Sequence, residues 1–227
     1  REELLTHLPF ELTQGQRRVI TEIDDDLSGS LPMMRLLQGE VGSGKTMVAT
    51  CAMLQAIDAG SQAALLAPTE VLASQHAASI GTSVPEGVKV VLLTGSMRTA
   101  EKRQALLDIV SGEANIVIGT HAIIQESVEF FDLGLVIVDE QHRFGVEQRD
   151  SLRSKTREGI SPHVLVMTAT PIPRTIAMTI FGDLAVSTLA ELPGGRKPIQ
   201  SAVVAEWRPI WVARALERIR EEVAHGH

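Results

Sequence analysis

The amino-acid sequence predicts an α/β fold built on a parallel β-sheet with helices on both faces. Three observations lead to this prediction: short apolar segments recur along the chain, a helical pattern fills the gaps between them, and the apolar segments are continuous rather than alternating. Continuous apolar runs of this length are typical of strands buried on both faces. Strands that alternate with helices form β-α-β units with right-handed crossovers.

Six apolar runs are the predicted strands, and each is rich in leucine or β-branched residues. They cover residues 33–38, 63–67, 88–93, 116–118, 135–138 and 164–167. Glycine, proline, threonine or aspartate bounds most of them, which are residues that end strands. Arg35 interrupts the first run. These runs therefore predict a sheet of at least six strands.

Helix start and stop signals lie in the gaps between the predicted strands. Threonine N-caps are predicted at Thr13, Thr69 and Thr99. Glycines just past a helix end are predicted at Gly60 and Gly112. The helices that follow the first predicted strand cover residues 47–59, 70–80 and 100–111. These start and stop signals support the predicted alternation of strand and helix.

A sharp change in composition at residues 192–198 predicts the exit from the α/β core. The expected organisation is a tail of a preceding region at residues 1–8, a domain at 9–192, a linker at 193–200, and the first strand and helix of an otherwise absent second domain at 201–227. A strand at 201–205 and a helix at 210–223 are too little chain to bury a core alone.

Composition excludes several classes of protein. The net charge of −7 argues against a chain that binds nucleic acid over its whole surface, and 3% aromatic residues argue against a platform for stacked bases. A single cysteine, Cys51, excludes an internal disulfide framework and a Cys-rich zinc site. No apolar run reaches the roughly 18 residues of a membrane span, and no signal-peptide pattern begins the chain. We therefore expect a cytoplasmic protein without a membrane partner.

Residues 39–46 match the phosphate-binding pattern G-x-x-x-x-G-K-[ST]. The match follows an apolar strand and opens an alanine-rich helix, which is the context that gives the pattern its meaning. Glycines let the backbone N–H groups approach phosphate oxygens, and the helix adds its positive end. The predicted nucleotide ligands are Gly39, Gly42, Ser43, Gly44, Lys45 and Thr46, with Lys45 on the β- and γ-phosphates and the Thr46 hydroxyl on Mg²⁺.

Two carboxylates, Asp139 and Glu140, end the predicted strand at 135–138. The carboxyl ends of parallel strands share one edge, where ligands bind. We expect Asp139 to hold Mg²⁺ through water, and Glu140 to orient and deprotonate the attacking water. Lys45 and Asp139 should therefore converge at one Mg-nucleotide site.

Two other polar features have simpler interpretations. The acidic triplet 24–26 is interpreted as a solvated helix end, with a metal site as the less favoured alternative. His142 has no second histidine four residues away and no cysteine partner, which argues against zinc.

The ordered motifs resemble those of superfamily-two helicases. These are the phosphate loop, then Asp-Glu-Gln-His at 139–142, then Thr-Ala-Thr-Pro at 168–171. Phe10, Thr13 and Gln16 resemble the family's adenine-reading Q motif, and the stretches at 67–70, 94–95 and 119–121 resemble its nucleic-acid motifs. The longer stretches 139–146 and 168–175 are similar to the RecG family of bacterial branched-DNA translocases, over residues 8–227.

The resemblance implies a RecA-like P-loop NTPase domain and a set of residue roles. Phe10 would stack on adenine and Gln16 would bind its edge, while Gln141 and His142 would link the γ-phosphate to a second motor lobe. Thr168 and Thr170 would couple the nucleotide state to DNA. The residues expected along the DNA are Pro68, Thr69, Gly95, Thr120 and His121. From the residues alone, Thr69 is equally a helix cap and Gly95 a turn residue.

The activity implied by the resemblance is ATP hydrolysis with Mg²⁺, coupled to translocation on duplex DNA. It would serve fork remodelling and Holliday-junction migration in recombination and repair, with branched DNA as partner and a nucleoid-associated location in a bacterium. A second lobe and a wedge domain of the parent chain are the other implied partners. Because the family's catalytic arginine belongs to the second lobe, this chain alone is expected to be nearly inactive.

Three alternatives stand beside this interpretation. The transcription-repair coupling translocases share the Arg-Phe-Gly stretch at 143–145 and the stretch at 168–175. A nucleotide switch module would keep the phosphate loop but would not need Glu140 or the Thr168-Ala169-Thr170 segment. A metabolic P-loop kinase would need a substrate pocket and a lid, and the motifs after Asp139 do not resemble one.

Overall fold

The computed structural model describes residues 4, 6, 11–125, 127–139, 161–170, 184–191 and 203–224. The chain divides into two compact units, Arg1–Pro193 and Gly194–His227. A seven-stranded sheet organises the described part of the first unit, and one helix forms most of the described part of the second. Within these ranges, no helix combines the length and the hydrophobicity needed to cross a bilayer.

Strands and helices alternate along the first unit. In chain order the elements are α1 (Gln14–Leu27), β1 (Met34–Gly39), α2 (Lys45–Asp58), β2 (Gln62–Leu66), α3 (Glu70–Ser83), β3 (Val90–Leu93), α4 (Thr99–Ser111), β4 (Ile116–Gly119), a 3₁₀ turn (His121–Ile124), β5 (Leu133–Asp139), β6 (His163–Thr168) and β7 (Ala185–Leu189). In the second unit, α5 covers Pro209–Ala224. The six predicted strands all form, within a few residues of the expected bounds.

The strands form one parallel sheet in the order β3-β4-β2-β5-β6-β1-β7. The strand that carries the Thr-Ala-Thr segment, β6, lies between β1 and β5, as the family resemblance implied. Because all these strands run in the same direction, their carboxyl ends lie along one edge of the sheet. The fold class is confirmed, and this edge is where the predicted site residues meet.

Apolar side chains cover both faces of the sheet. Neighbouring strand residues alternate between two buried clusters: Leu37 and Ile137 belong to one, and Leu36 and Val136 to the other. The first cluster includes side chains from α1, α2 and α3, and the second includes side chains from α4 and the 3₁₀ turn. Burial on both faces explains why the strands are continuously apolar in the sequence.

Most of the predicted helix signals are present in the structure. Thr13 and Gln16 form a reciprocal capping box at the start of α1, and Thr69 caps α3 by accepting from the Leu72 N–H at 3.3 Å. The prediction for Thr99 is wrong. Arg98 is the N-cap residue, with no side-chain cap, and Thr99 is the first residue of α4. The backbone turns one residue earlier than the threonine preference indicated.

The edge strand β7 was not predicted, because polar residues interrupt its apolar pattern. One of them, Ser187, is buried and accepts a hydrogen bond from Nη1 of Arg35 at 2.7 Å. The same guanidinium pairs with Asp26 at 2.8 Å and with Glu22 at 3.2 Å. Asp26 is therefore an ion-pair partner rather than part of a fully solvated helix end, which corrects that interpretation of the acidic triplet.

The predicted strand at 201–205 does not form in the part that the structure describes. Residues 203–205 have no regular structure, and Ser201 and Ala202 lie outside the described residues. The helix that follows begins at Pro209, one residue before the expected start. A proline is well placed at the first position of a helix because its missing N–H would have no helical partner there.

A histidine at the start of β6 should make the fold sensitive to acid. The N–H of Met33 donates to Nδ1 of His163 at 2.9 Å, and burial lowers the pKa of this imidazole more than nearby Asp26 raises it. The folded state therefore binds fewer protons than the unfolded state. The free energy of unfolding should be insensitive to this group above the ordinary histidine pKa of about 6.5 and should fall as the pH drops below it.

The measurement is urea unfolding of the chain and of His163→Asn at pH 7.5 and pH 5.5, two values chosen about one unit either side of that pKa. The asparagine oxygen can still accept from the Met33 N–H but does not titrate. We expect the unsubstituted chain to lose more stability at the lower pH than the variant does. The same loss in both proteins would contradict a role for His163.

Candidate functional site

The phosphate loop connects β1 to α2 in a conformation that requires glycine. Gly42 and Gly44 have positive φ angles of 83° and 88°, a region that other residues rarely adopt. A Cβ on Gly44 would overlap the side-chain amide of Gln16, and one on Gly39 would lie 2.5 Å from Oγ of Ser43. The backbone conformation or the limited space therefore explains why glycine occupies each of these three positions.

The polar groups of this loop suit a phosphate ligand. Nζ of Lys45 donates to the carbonyl oxygens of Gly39 at 2.7 Å and Glu40 at 3.0 Å, which keeps the ammonium group over the loop. The Ser43 hydroxyl is buried and has no hydrogen-bond partner within the described residues. Buried hydroxyls without a partner are uncommon. An anion that accepts from Ser43, Lys45 and the helix N–H groups would satisfy this arrangement.

Gln16 fastens the phosphate loop to α1. Its Nε2 donates to the carbonyl of Ser43 at 2.9 Å, and its Oε1 accepts from the N–H of Thr13 at 3.0 Å. The side chain is buried, and it also limits the space at Gly44. The sequence predicted Gln16 as an adenine ligand, which stays a prediction; the structure shows its bond to the phosphate loop. Phe10, the predicted stacking residue, lies outside the described residues.

The carboxyl ends of β1, β5 and β6 bring three predicted motifs together. Lys45 follows β1, Asp139 ends β5, and Thr168 ends β6, the strand that lies between β1 and β5. Lys45 and Asp139 therefore lie at the same sheet edge, as expected. Oδ2 of Asp139 lies 2.7 Å from Nε2 of His76, a residue of α3 that sequence analysis did not single out. Glu140, Gln141 and His142 lie outside the described residues.

The Thr-Ala-Thr segment forms a compact turn at the end of β6. The Thr170 N–H donates to Oγ1 of Thr168 at 3.1 Å, and the two hydroxyl groups lie 3.0 Å apart. Thr168 is buried whereas Thr170 is exposed. The buried hydroxyl of Thr168 thus holds Thr170 in place at the carboxyl edge.

The predicted DNA-contacting residues lie on the other half of the same edge. Pro68 and Thr69 follow β2, Gly95 follows β3, and Thr120 and His121 follow β4. These three strands are neighbours in the sheet, and the Ala67 N–H donates to the carbonyl of Gly119 at 2.8 Å. Thr120 is half-buried and the other four are exposed. Residues far apart in the sequence thus form one exposed strip.

Glu70 belongs to the stretch 67–70 and links two loops of this strip through a contact that sequence analysis did not predict. Its carboxylate accepts from the N–H of Ser96 at 3.1 Å and also from the Ser96 hydroxyl. The hydroxyl bond, followed by the N–H bond, lowers the pKa of the Glu70 carboxyl. The carboxylate therefore holds the loop after β3 against the start of α3. Two residues 26 positions apart give no local signal for such a contact.

Cation-binding groups of the described residues suit magnesium held mainly by a nucleotide. No cluster of three or more His, Cys, Asp and Glu side chains that could hold a metal occurs in the described ranges. Thr46 and Asp139 instead offer one hydroxyl and one carboxylate at the same edge. Magnesium commonly uses one or two carboxylates together with substrate phosphates and water. The donor set therefore fits Mg²⁺ bound with a nucleotide.

Comparison with known proteins agrees with this geometry. Residues 13–179 match the family described as DEAD/DEAH box helicase. The chain belongs to this helicase family. Among solved structures, RecG bound to a three-way DNA junction superposes with a TM-score of 0.86 at 44% identity, over 99% of this chain and 30% of that one. The DEAD-box helicase Mss116 shares the fold, with a TM-score of 0.62 at 22% identity over 83% of this chain and 42% of that one.

Curated helicase relatives are similar over nearly all of the chain. The ATP-dependent DNA helicase RecG of Mycobacterium leprae is 59% identical over 99% of this chain and 32% of its own length. RecG of Haemophilus influenzae is 52% identical over 92% of this chain and 30% of its own length. The resemblance to RecG is thus confirmed as a similarity in sequence and fold. The chain spans about a third of the length of these relatives.

Proposed function

We propose that this chain is the ATP-binding first motor lobe of a RecG-like DNA helicase. The observation that carries the proposal is the division of the sheet edge. The phosphate loop and Asp139 follow β1 and β5, and the exposed strip follows β2, β3 and β4. Because β2 pairs directly with β5, the two halves of the edge adjoin. This arrangement would let one lobe bind nucleotide and DNA side by side.

Each nucleotide ligand has a distinct part in the proposed reaction. Lys45, Ser43 and the loop N–H groups would bind the phosphates, and Thr46 and Asp139 would hold Mg²⁺, which would supply positive charge beside the phosphates. Glu140 takes a proton from the attacking water. The family resemblance supports the remaining roles, which are adenine binding by Phe10 and Gln16 and contact with the second lobe through Gln141 and His142.

The strip beside the nucleotide site is suited to the phosphate backbone of DNA. Thr69 and Thr120 have hydroxyl groups, and α3 begins directly after Thr69 with the positive end of its dipole. Such groups bind phosphate without reading the base sequence, which suits a motor that steps on any sequence. Because the chain has a net charge of −7, we expect DNA binding by this lobe alone to be weak and sensitive to salt.

The parent protein would supply what this lobe needs for turnover. We propose that residues 9–192 form the motor lobe, 193–200 a linker, and 201–227 the start of the second lobe, with a preceding region before residue 9. The second lobe would bring the catalytic arginine, and such an arginine is worth about 10³ to 10⁵ in rate. In a bacterial cytoplasm, the complete protein would remodel stalled forks and migrate Holliday junctions at the nucleoid. RecG's three-way-junction complex supports this choice of substrate.

The test uses a chimera in which residues 1–227 replace the matching segment of the Mycobacterium leprae RecG. We expect forked DNA to stimulate its ATP turnover more than linear duplex, and the isolated chain to be nearly inactive. Glu140→Gln in the chimera should remove the stimulated turnover. If the chimera hydrolyses ATP without any response to DNA, a nucleotide switch would replace the motor. Turnover by the isolated chain close to that of the chimera would contradict the need for a second lobe.

A further inference from the structure

A side-chain contact joins α3 to the acidic end of β5. Nε2 of His76 lies 2.7 Å from Oδ2 of Asp139, and the two side chains are only 14% and 15% exposed. They are 63 positions apart in the sequence. With the proton on Nε2, the ring donates to the carboxylate. The contact therefore joins the proposed magnesium ligand, Asp139, to the helix that begins at the exposed strip.

The helical position of His76 explains why its ring faces the sheet. Ala73 and Ile80 are the buried residues of α3. His76 follows the first by three positions and precedes the second by four, so all three share one face of the helix. A ring nitrogen on that face needs a polar partner because water has little access to it. Asp139 provides that partner, so His76 does more than fill space against the sheet.

We propose that His76 is a positioning residue for Asp139. By holding Oδ2, it would leave Oδ1 to accept from a magnesium-bound water in a fixed orientation. The inference rests on the proposed function, in which Asp139 serves the Mg-nucleotide site. Partners that orient a metal-binding side chain typically change metal affinity by about 10- to 100-fold. His76 would not touch nucleotide or metal, so its effect should depend on magnesium.

A purely structural role makes a different prediction. If the contact only fastens α3 to β5, its loss should weaken nucleotide binding equally with and without magnesium. The closing experiment therefore compares the dissociation constant of ADP in excess magnesium chloride with that in EDTA, measured by titration calorimetry on the 227-residue chain. Thermal melting of each variant reports the state of the fold.

His76→Leu should weaken ADP binding about 10-fold in magnesium and leave binding in EDTA unchanged. His76→Gln should recover most of the loss, because its amide nitrogen can take the place of Nε2. His76→Asn should not, because its shorter side chain cannot reach Oδ2. Gln75→Leu, at the exposed neighbouring position, is the control and should behave like the unsubstituted chain. If His76→Leu does not fold, the two amide variants make the same comparison.

Three results would overturn the inference. The first is an equal loss in magnesium and EDTA, and the second is a His76→Gln variant no better than His76→Asn. The third is additivity. In an Asp139→Asn background, His76→Leu should cause no further magnesium-dependent loss, because residues that act together are not additive. If the unsubstituted chain binds no ADP in either condition, the proposed nucleotide site fails, and the inference falls with it.

Discussion

Lys45→Ala is expected to lower the DNA-stimulated ATP turnover of the chimera by about 10²- to 10³-fold, the usual cost of removing one group that stabilises transition-state charge. The structure gives the reason. Lys45 begins α2, and its ammonium group already lies over the phosphate loop, bonded to the carbonyls of Gly39 and Glu40. A phosphate in the loop would exchange these weak acceptors for charged oxygens, which make stronger hydrogen bonds. Turnover and ADP affinity are the two measurements.

The control for Lys45→Ala must separate ligand binding from support of the loop. Arg103→Ala removes one positive charge from the exposed surface of α4 and should leave turnover unchanged. Lys45→Arg keeps the charge but replaces a compact ammonium group with a planar guanidinium, so it should recover little activity. Melting temperatures for all three variants show whether the loop substitution disturbs the fold. Turnover of Lys45→Ala equal to that of Arg103→Ala would contradict the proposed role.

The central strands could be predicted because burial on both faces leaves a mark in the sequence. Most of the six predicted strands are continuous apolar runs, and each of the strands β1–β6 has a strand neighbour on both sides except β3 at the edge. β7 could not be predicted in this way. It lies at the other edge, and its Ser187 is satisfied by Arg35, 152 positions earlier. The arginine that interrupts the first apolar run and the serine that interrupts β7 thus belong to the same polar cluster.

Some residues of the candidate site could be predicted from nearby residues in the sequence, whereas others depend on partners far away in the sequence. The phosphate loop was predictable because its spacing, glycines and flanking elements lie within a short segment. The parallel sheet then brings Asp139 to the same carboxyl edge, with β6 between the two strands. His76 and Glu70 were not predictable, because their partners lie 63 and 26 positions away and neither contact has a periodic pattern. A single sequence contains the chemistry of such residues but not their pairing.

Glu70 and His76 both belong to α3, which places this helix at the junction of the two halves of the sheet edge. Glu70, its first residue, holds the loop after β3, and His76 contacts the end of β5. The distance along the helix between them is only about 9 Å, at about 1.5 Å a residue. A packed helix is stiff over such a length. Two side-chain contacts of α3 therefore connect the loop after β3 with Asp139.

Gly119→Ala, at the end of β4 directly before the exposed strip, is expected to be strongly destabilising. Gly119 ends β4 between β2 and β3, and a Cβ there would overlap the carbonyl oxygen of Leu93 on the neighbouring strand. Backbone cannot rotate away as a side chain can, so the two strands must separate. Overpacking of this kind costs up to about 3 kcal/mol. For a chain of this size, the melting temperature should fall by about 6–12 °C.

Gly81→Ala provides the matched control because it adds the same methyl group where there is room. Gly81 lies in α3, and a Cβ there would meet nothing within 4 Å. Alanine is the better helix former, so this variant should be more stable by about 0.5–1 kcal/mol. The opposite signs follow from the surroundings and local backbone of each glycine, since the residue change is identical. Because the Gly119 carbonyl also accepts from the Ala67 N–H, separation of the strands should displace Pro68 and Thr69 and weaken DNA binding by the chimera. Equal melting temperatures for the two variants would contradict the close approach of β3 and β4. They would also contradict the arrangement of the exposed strip that follows these strands.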